Sequence, residues 1–435
     1  MADEKVGFGE TVSMAIGGMV GGGIFAALGI VAAAADTLTW LAFVVAGVIA
    51  LCSGYSFVRL NRLIDGRGGP MTYTNRLTGR TTLAGMLGWT SIIGYIGTMA
   101  LYAFAFGGYF SSLFNLTTWA GIPIRSVVSF LVVAAFVGLN TVGAHTTGRL
   151  EDVLVGLKLL VLLVFGIAGV YYAGTHGQLT TGFAHLGIGP VIGAGVAFVA
   201  FEGWELLFYD QDSIRNPERT VPRGVYVSIV AATVLYVLVG VVTTNLLSAL
   251  MIKRHADTAL AIAAEPFFGV TGFVVISLAA LFSTASALNA TLFSAARLSK
   301  KMVRDDFLPN RLSSIDNSEP IRPLLVLGAF TAALTSLGTL NAISSFASLA
   351  FITIFGATSA LAVTRRDSMM TTLVPAVGMV GSTSAAIALL YHLYTSEFPT
   401  FVLVMLLVIG VVAVELLYFE RDVIEPEFEH VEKEM

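Results

Sequence analysis

Twelve apolar runs of about 20 residues, separated by short polar connections, constrain this chain more than any other feature. A helix of that length crosses roughly 30 Å of hydrocarbon. Backbone that enters hydrocarbon must satisfy its own hydrogen bonds, which leaves helices as the solution for runs this long. The runs cover approximately residues 10–35, 38–58, 84–115, 126–143, 150–173, 189–209, 224–250, 270–297, 324–340, 344–364, 371–393 and 397–418. With 56% hydrophobic and 12% charged residues over 435 positions, a soluble multidomain protein is excluded. The expected fold class is an all-α integral membrane protein of twelve transmembrane helices, the third long enough to tilt.

Charge sets the orientation. With the N-terminus inside, twenty of the 24 Lys and Arg are cytoplasmic, from Lys5 and the cluster Arg59, Arg62, Arg67, Arg76 and Arg80, through Arg149, to Arg311, Arg421 and Lys433. Only Arg125, Lys253 and Arg254 fall outside. That asymmetry places both termini in the cytoplasm and agrees with an even number of spans. The apolar segment after the acidic start is longer than a signal-peptide core, so an uncleaved first helix is expected. The expected segments are a cytoplasmic N-terminus at 1–9, a ten-helix transport core at 10–364, helices 11 and 12 at 365–418, and an acidic cytoplasmic tail at 419–435. One cysteine, Cys52, excludes an intrachain disulfide, and the six histidines show no metal-ligand spacing. No metal, cofactor or nucleic-acid partner is expected; the lipid bilayer is.

Two runs carry the means of their own interruption. Gly17-Gly18-Met19-Val20-Gly21-Gly22-Gly23-Ile24-Phe25 holds five glycines within seven residues in the middle of the first run. Each costs up to about 1 kcal/mol in a helix interior relative to alanine, which favours unwinding. Unwound backbone at membrane depth persists only where it faces protein, water or a ligand. The alternative is close helix packing, because Gly17/Gly21 and Gly18/Gly22 match the small-xxx-small pattern. In the sixth run, Phe198-Val199-Ala200-Phe201-Glu202-Gly203-Trp204-Glu205 sets two carboxylates around a glycine.

Interruptions in the first and sixth runs predict a 5+5 inverted repeat, with broken helices 1 and 6 meeting at a midplane site and two C-terminal helices appended. Half-helix N-termini in the first break attract a carboxylate, while freed carbonyls in the sixth suit an amine. A zwitterionic amino acid matches both. The candidate substrate-binding residues are Gly21, Gly22, Gly23, Ile24, Phe25, Phe201, Glu202, Gly203 and Trp204. The aromatic members are also ordinary packing residues. Asp210 and Asp212, just past the sixth run, are candidates for an inside-closing network with the arginines of that connection.

Lys158 lies within Val153–Tyr172, a stretch with no other charge, while the other five lysines lie outside the apolar runs. An ammonium at membrane depth costs a few kcal/mol or more, so a span that carries one is read as using it. Lysine, unlike arginine, loses its proton readily when desolvated. Two other readings compete: a side chain snorkelling to the headgroups, and a fixed ion pair with Glu202 or Glu205.

Val20-Gly21-Gly22-Gly23-Ile24-Phe25 resembles the first-helix motif of the amino acid-polyamine-organocation superfamily, whose glycine triplet binds the substrate carboxylate. The stretch Phe201 to Glu205, followed by Asn216-Pro217-Glu218-Arg219-Thr220-Val221-Pro222-Arg223, resembles that superfamily's sixth helix and the loop after it. The resemblance spans about residues 6 to 420. It implies that Lys158 corresponds to the fifth-helix lysine of sodium-independent, proton-coupled members, standing in for a sodium ion between the first and eighth helices. On that analogy the partners of Lys158 are a carbonyl near Gly17 or Gly18 and a hydroxyl of Ser283 or Ser286. Glu205 falls where an acid is frequent and is a gating candidate. Glu202 departs from the pattern, since many members are neutral there, and it suits either a cationic side chain or a second proton.

The function these residues imply is secondary active, proton-coupled symport of an amino acid by alternating access, with Lys158 carrying the proton, in a multi-pass protein of the plasma membrane. An amino acid exchanger is the main alternative. A sodium-coupled carrier, a channel and a nutrient receptor follow less directly, and no catalytic motif indicates an enzyme.

Overall fold

In the computed structural model, which describes residues 5–64, 68–141, 148–183, 187–305, 307–308 and 321–419, the first apolar run is two helices. Helix α1 (Phe8–Met19) ends at Val20, and α2 (Gly22–Ala35) begins after Gly21. The next runs fall on α3 (Thr39–Leu63), α5 (Thr81–Leu113), α6 (Ile124–Thr141) and α7 (Gly148–Thr175). Between α3 and α5 lies α4 (Pro70–Thr78), a polar-faced helix too short to register as an apolar run. The sixth run is α8 (Gly189–Ala197), a 3-10 turn Phe198–Phe201, then Glu202 and Gly203, and a 3-10 segment Trp204–Phe208.

The remaining runs fall on α9 (Pro217–Leu246), α12 (Glu265–Arg304), α13 (Ile321–Leu337), α14 (Leu340–Thr364), α15 (Met370–Ser396) and α16 (Phe398–Phe419). Short helices α10 (Ala249–Arg254) and α11 (Ala259–Ile262) occupy the connection before α12. Nine helical stretches among the described residues are long and apolar enough to cross a membrane; Gly22–Leu63 takes in α2 and α3 together. Gly189–Phe201 and Ile321–Leu337 are apolar but shorter. The protein is an all-α integral membrane protein, its only described strands being the two-residue pair Thr118–Trp119 and Ile122–Pro123. Arg67, Arg311, Arg421, Lys433, the side chain of Arg149 and the acidic tail beyond 419 lie outside the described residues.

Helix α5 is the most enclosed of the spanning helices, with 83% of its apolar window buried, whereas α16 has 11%. Leu406, Ile409 and Leu417 of α16 accordingly point outward, where lipid removes them from water. The broken helices are central. α1 packs on α7, α9, α12 and the segment Trp204–Phe208, and α2 on α5, α8, α10 and α12. Around them α5 packs on α12 and α14, α3 on α8, α9 and α14, α6 on α13, and α7 on α9 and α12.

Candidate functional site

A helix ends with four carbonyls that no residue of its own can satisfy. In α1 these belong to Gly17, Gly18, Met19 and Val20, and each receives a side-chain donor from a different helix. Lys158 Nζ of α7 donates to Gly17 O at 2.9 Å. The Tyr102 hydroxyl of α5 reaches Gly18 O at 3.3 Å, Tyr236 of α9 reaches Met19 O at 2.6 Å, and Ser283 of α12 reaches Val20 O at 2.8 Å. Leaving a buried carbonyl unpaired costs about 1–3 kcal/mol, so the interruption is held by its neighbours. A cation at this end also meets the negative pole of α1.

Lys158 is 4% exposed, which leaves no room for a side chain reaching to the headgroups. Ser283 takes the carbonyl three residues along from that of Lys158, and Ser286 is partly buried one turn further down α12. At the opposite side of the break, no side chain caps α2 at Gly21, and Gly21, Gly22, Gly23, Ile24 and Phe25 are all buried. This is the uncapped positive end that the sequence assigns to a carboxylate.

The two interruptions touch through their glycines. Gly203 has φ +124°, and a Cβ there would lie 2.8 Å from Gly18 C and Met19 N. Across the break, in α2, a Cβ on Gly23 would lie 2.7 Å from Ala200 Cα. Only glycine permits backbone to cross backbone at this spacing. Unwinding and close packing, posed as alternatives by the sequence, are realised together.

Glu202 and Glu205 are buried on this crossing but take different partners. Glu205 Oε2 accepts from Gly203 N at 2.8 Å, and its Oε1 accepts from the Tyr95 hydroxyl at 3.3 Å. Glu202 Oε2 lies 3.0 Å from the Tyr102 hydroxyl, while Oε1 has no partner. Ser348 of α14 stitches the end of α8 to the 3-10 turn, donating to Val196 O at 2.9 Å and accepting from Val199 N at 3.1 Å.

Phe201 and Trp204 are fully buried, and they diverge. Phe201 packs edge-on to Tyr236 at 5.3 Å. Trp204 joins a plug with Phe57 of α3 at 5.0 Å and Phe355 of α14 at 4.9 Å, with Phe208 beside it. Phe25 packs on Tyr109, whose hydroxyl donates to Phe25 O at 3.1 Å. Asp210 reaches Arg297 of α12 at 3.5 Å, and Asp212 lies in the turn Gln211–Ser213.

Tyr95, Tyr102, Tyr236 and Ser348 escaped the sequence reading. Their common signal is a hydroxyl within an apolar run, and buried hydroxyls need partners. The sequence does not say which carbonyl each one finds.

The chain matches the amino acid permease family over residues 6–412. It is 29% identical to the inner membrane transport protein YbaT of Escherichia coli (strain K12) over 399 residues, covering 90% of this chain and 91% of that protein. It is 24% identical to the branched-chain amino acid permease BcaP of Bacillus subtilis (strain 168) over 369 residues, covering 81% and 78%. Among solved structures, the Eremococcus coleocola manganese transporter superposes with a TM-score of 0.60 at 10% identity, covering 96% of this chain and 94% of that one, a likeness of fold.

Proposed function

Because the chain belongs to the amino acid permease family, we propose that it is a secondary transporter of amino acids, a proton-coupled symporter in which Lys158 carries the proton. The observation that carries this reading is the 2.9 Å bond from the buried Lys158 ammonium to Gly17 O, at the end of a helix whose other three carbonyls are also held from outside. A charged Lys158 ties α7 to α1. A neutral one offers a weaker bond at the negative pole and frees α1 to move. Loading and release of one proton thereby act on the end of α1, directly across the break from the α2 start that offers its Gly21–Ile24 N–H groups to the substrate carboxylate.

The alternation of access is supported by the way the helices pair. Exchanging each of the first five runs with the run five places later turns α5·α14 into α12·α7, α1·α9 into α8·α3, α5·α6 into α12·α13 and α7·α9 into α14·α3, all of them present. That is the pairing expected of two five-helix halves of opposite topology, which rock about a shared site. We assign twelve spans, a multi-pass setting in the plasma membrane and both termini to the cytoplasm, on the charge bias given above.

The deciding experiment is uptake by proteoliposomes under an imposed pH gradient at clamped potential, across the twenty amino acids. Wild type accumulates at least one of them, and Lys158→Ala does not. Accumulation by the alanine variant, or wild-type accumulation that follows sodium and ignores pH, sinks the proton-carrier role. Substrate counterflow with no proton uptake would instead identify an exchanger.

A further inference from the structure

The Tyr102 hydroxyl has one proton and two acceptors. It lies 3.0 Å from Glu202 Oε2 and 3.3 Å from Gly18 O. A phenolic hydroxyl donates once, so it serves one of these oxygens at a time. Which one depends on the carboxyl group. If Glu202 carries a proton on Oε2, its O–H donates to the Tyr102 oxygen, and the Tyr102 proton is left for Gly18 O. Every hydrogen then has an acceptor and Gly18 O is capped. If Glu202 is ionised, Tyr102 turns its proton to Oε2, and Gly18 O loses its donor.

We propose that Glu202 is a second proton-binding site of the transport cycle, and that its occupancy decides whether Tyr102 caps the last turn of α1. This rests on the transporter reading above and adds a site to it. The Glu202 pocket offers a carboxylate one donor, with Oε1 buried and unpartnered, but it offers a carboxylic acid a complete donor chain. The other ionisable groups around the crossing are committed elsewhere. Glu205 is held by Gly203 N and Tyr95 on its own side. The Tyr236 hydroxyl lies between two backbone carbonyls, Met19 O at 2.6 Å and Ala200 O at 2.8 Å, and Lys158 donates to Gly17 O.

Gly17 O and Gly18 O are adjacent carbonyls, so the two proton sites act on neighbouring rungs of one helix end. The Gly18 rung is also where Gly203 presses on α1. Ionisation of Glu202 removes a bond from the turn that joins the two broken helices. One proton enters from water on one side, rests on Glu202 Oε2 and leaves to the other side.

Two measurements separate this proposal from the transporter reading. In proteoliposomes at clamped potential with a pH gradient of one unit, each coupled proton supports about tenfold accumulation of a neutral substrate. With radiolabelled leucine, alanine and serine as probes, wild type should reach a limit about tenfold above that of Glu202→Gln or Tyr102→Phe. The limit is thermodynamic, so a slow variant still reports it. The second measurement needs no transport. Infrared pH titration of the purified protein should show a protonated-carboxyl C=O stretch that is absent in Glu202→Gln and shifted in Tyr102→Phe.

Equal accumulation limits in wild type and Glu202→Gln overturn the proposal. So does an infrared band that Glu202→Gln leaves in place. A Glu202→Gln protein that keeps the wild-type limit but loses only lysine and arginine uptake would make Glu202 a substrate contact, again overturning it. If wild type accumulates none of the probes, the transporter reading fails for them, and the infrared band alone decides whether Glu202 binds the proton.

Discussion

Gly203 shows how much of the site depends on the absence of one methyl group. Its φ of +124° is open to glycine and strained for any L side chain, and its missing Cβ is the space into which Gly18 C and Met19 N fit at 2.8 Å. Gly269 of α12 also has positive φ, +61°, but a Cβ there would meet nothing within 4 Å. The pair separates backbone strain from contact. Gly269→Ala should lower the melting temperature in detergent by the strain alone, more than about 1 kcal/mol in stability. Gly203→Ala should cost about 1–3 kcal/mol beyond that, because the opposing atoms are backbone and yield only by parting the two breaks. Equal losses in the two variants would mean that the crossing is not a tight contact.

At the scale of elements, what could be read from the chain was whatever is local. Apolar runs report helices because hydrocarbon leaves the backbone no other solution, and the two interruptions report themselves because glycine content is a property of the segment that unwinds. The caps are different in kind. Tyr102, Tyr236, Ser283 and Lys158 come from four helices, and their convergence on Gly17 to Val20 depends on how each helix is rotated when packed. Nothing in one helix's own periodicity sets that rotation. The same limit hid α4, whose Tyr73 is buried against Phe57 although its flanks read as a polar connection.

A third element-level contact was also silent in the sequence. Val6 pairs with the segment after the sixth break, donating from its N to Ser213 O at 2.8 Å and accepting from Arg215 N at 2.9 Å. The strap lies on the same face as Asp210 and Arg297, whose exposed ion pair contributes little by itself. Proline has no N–H to give, so Val6→Pro removes the first of these bonds. Hydrogen exchange across residues 204–213 should quicken several-fold in that variant, with protection in α14 unchanged. Unaltered exchange in that segment would show that the strap does not hold it.

For the whole molecule, the face opposite Val6 is closed by a different device, the connection carrying α10 and α11. Its backbone at Ala256 rests on Gly29 of α2, and Asp257 Oδ2 would lie 2.7 Å from a Cβ on Gly108 of α5. The cover thus presses at once on the broken helix and on the most enclosed spanning helix. Burial raises the Asp257 carboxyl above the ordinary range, offset in part by its own backbone N–H, by Arg125 and His255, and by Thr258 N–H. Arg125 itself lies over the Phe104 ring at 3.8 Å. The sign of the linkage follows. A raised pKa means that the closed cover binds the proton more tightly than the open one, so this contribution is complete below the ordinary carboxylate pKa and is lost as pH rises through the raised value. On the charge-based orientation this face is external, so an acidic exterior, the proton-rich side of an inward gradient, favours the closed cover. Exchange protection factors for residues 249–262, corrected for the intrinsic rate, should rise as pH falls through the acid range. Asp257→Asn, neutral at every pH, should hold them flat. Protection that falls with acid, or a slope that survives in the asparagine variant, would remove Asp257 from control of the cover.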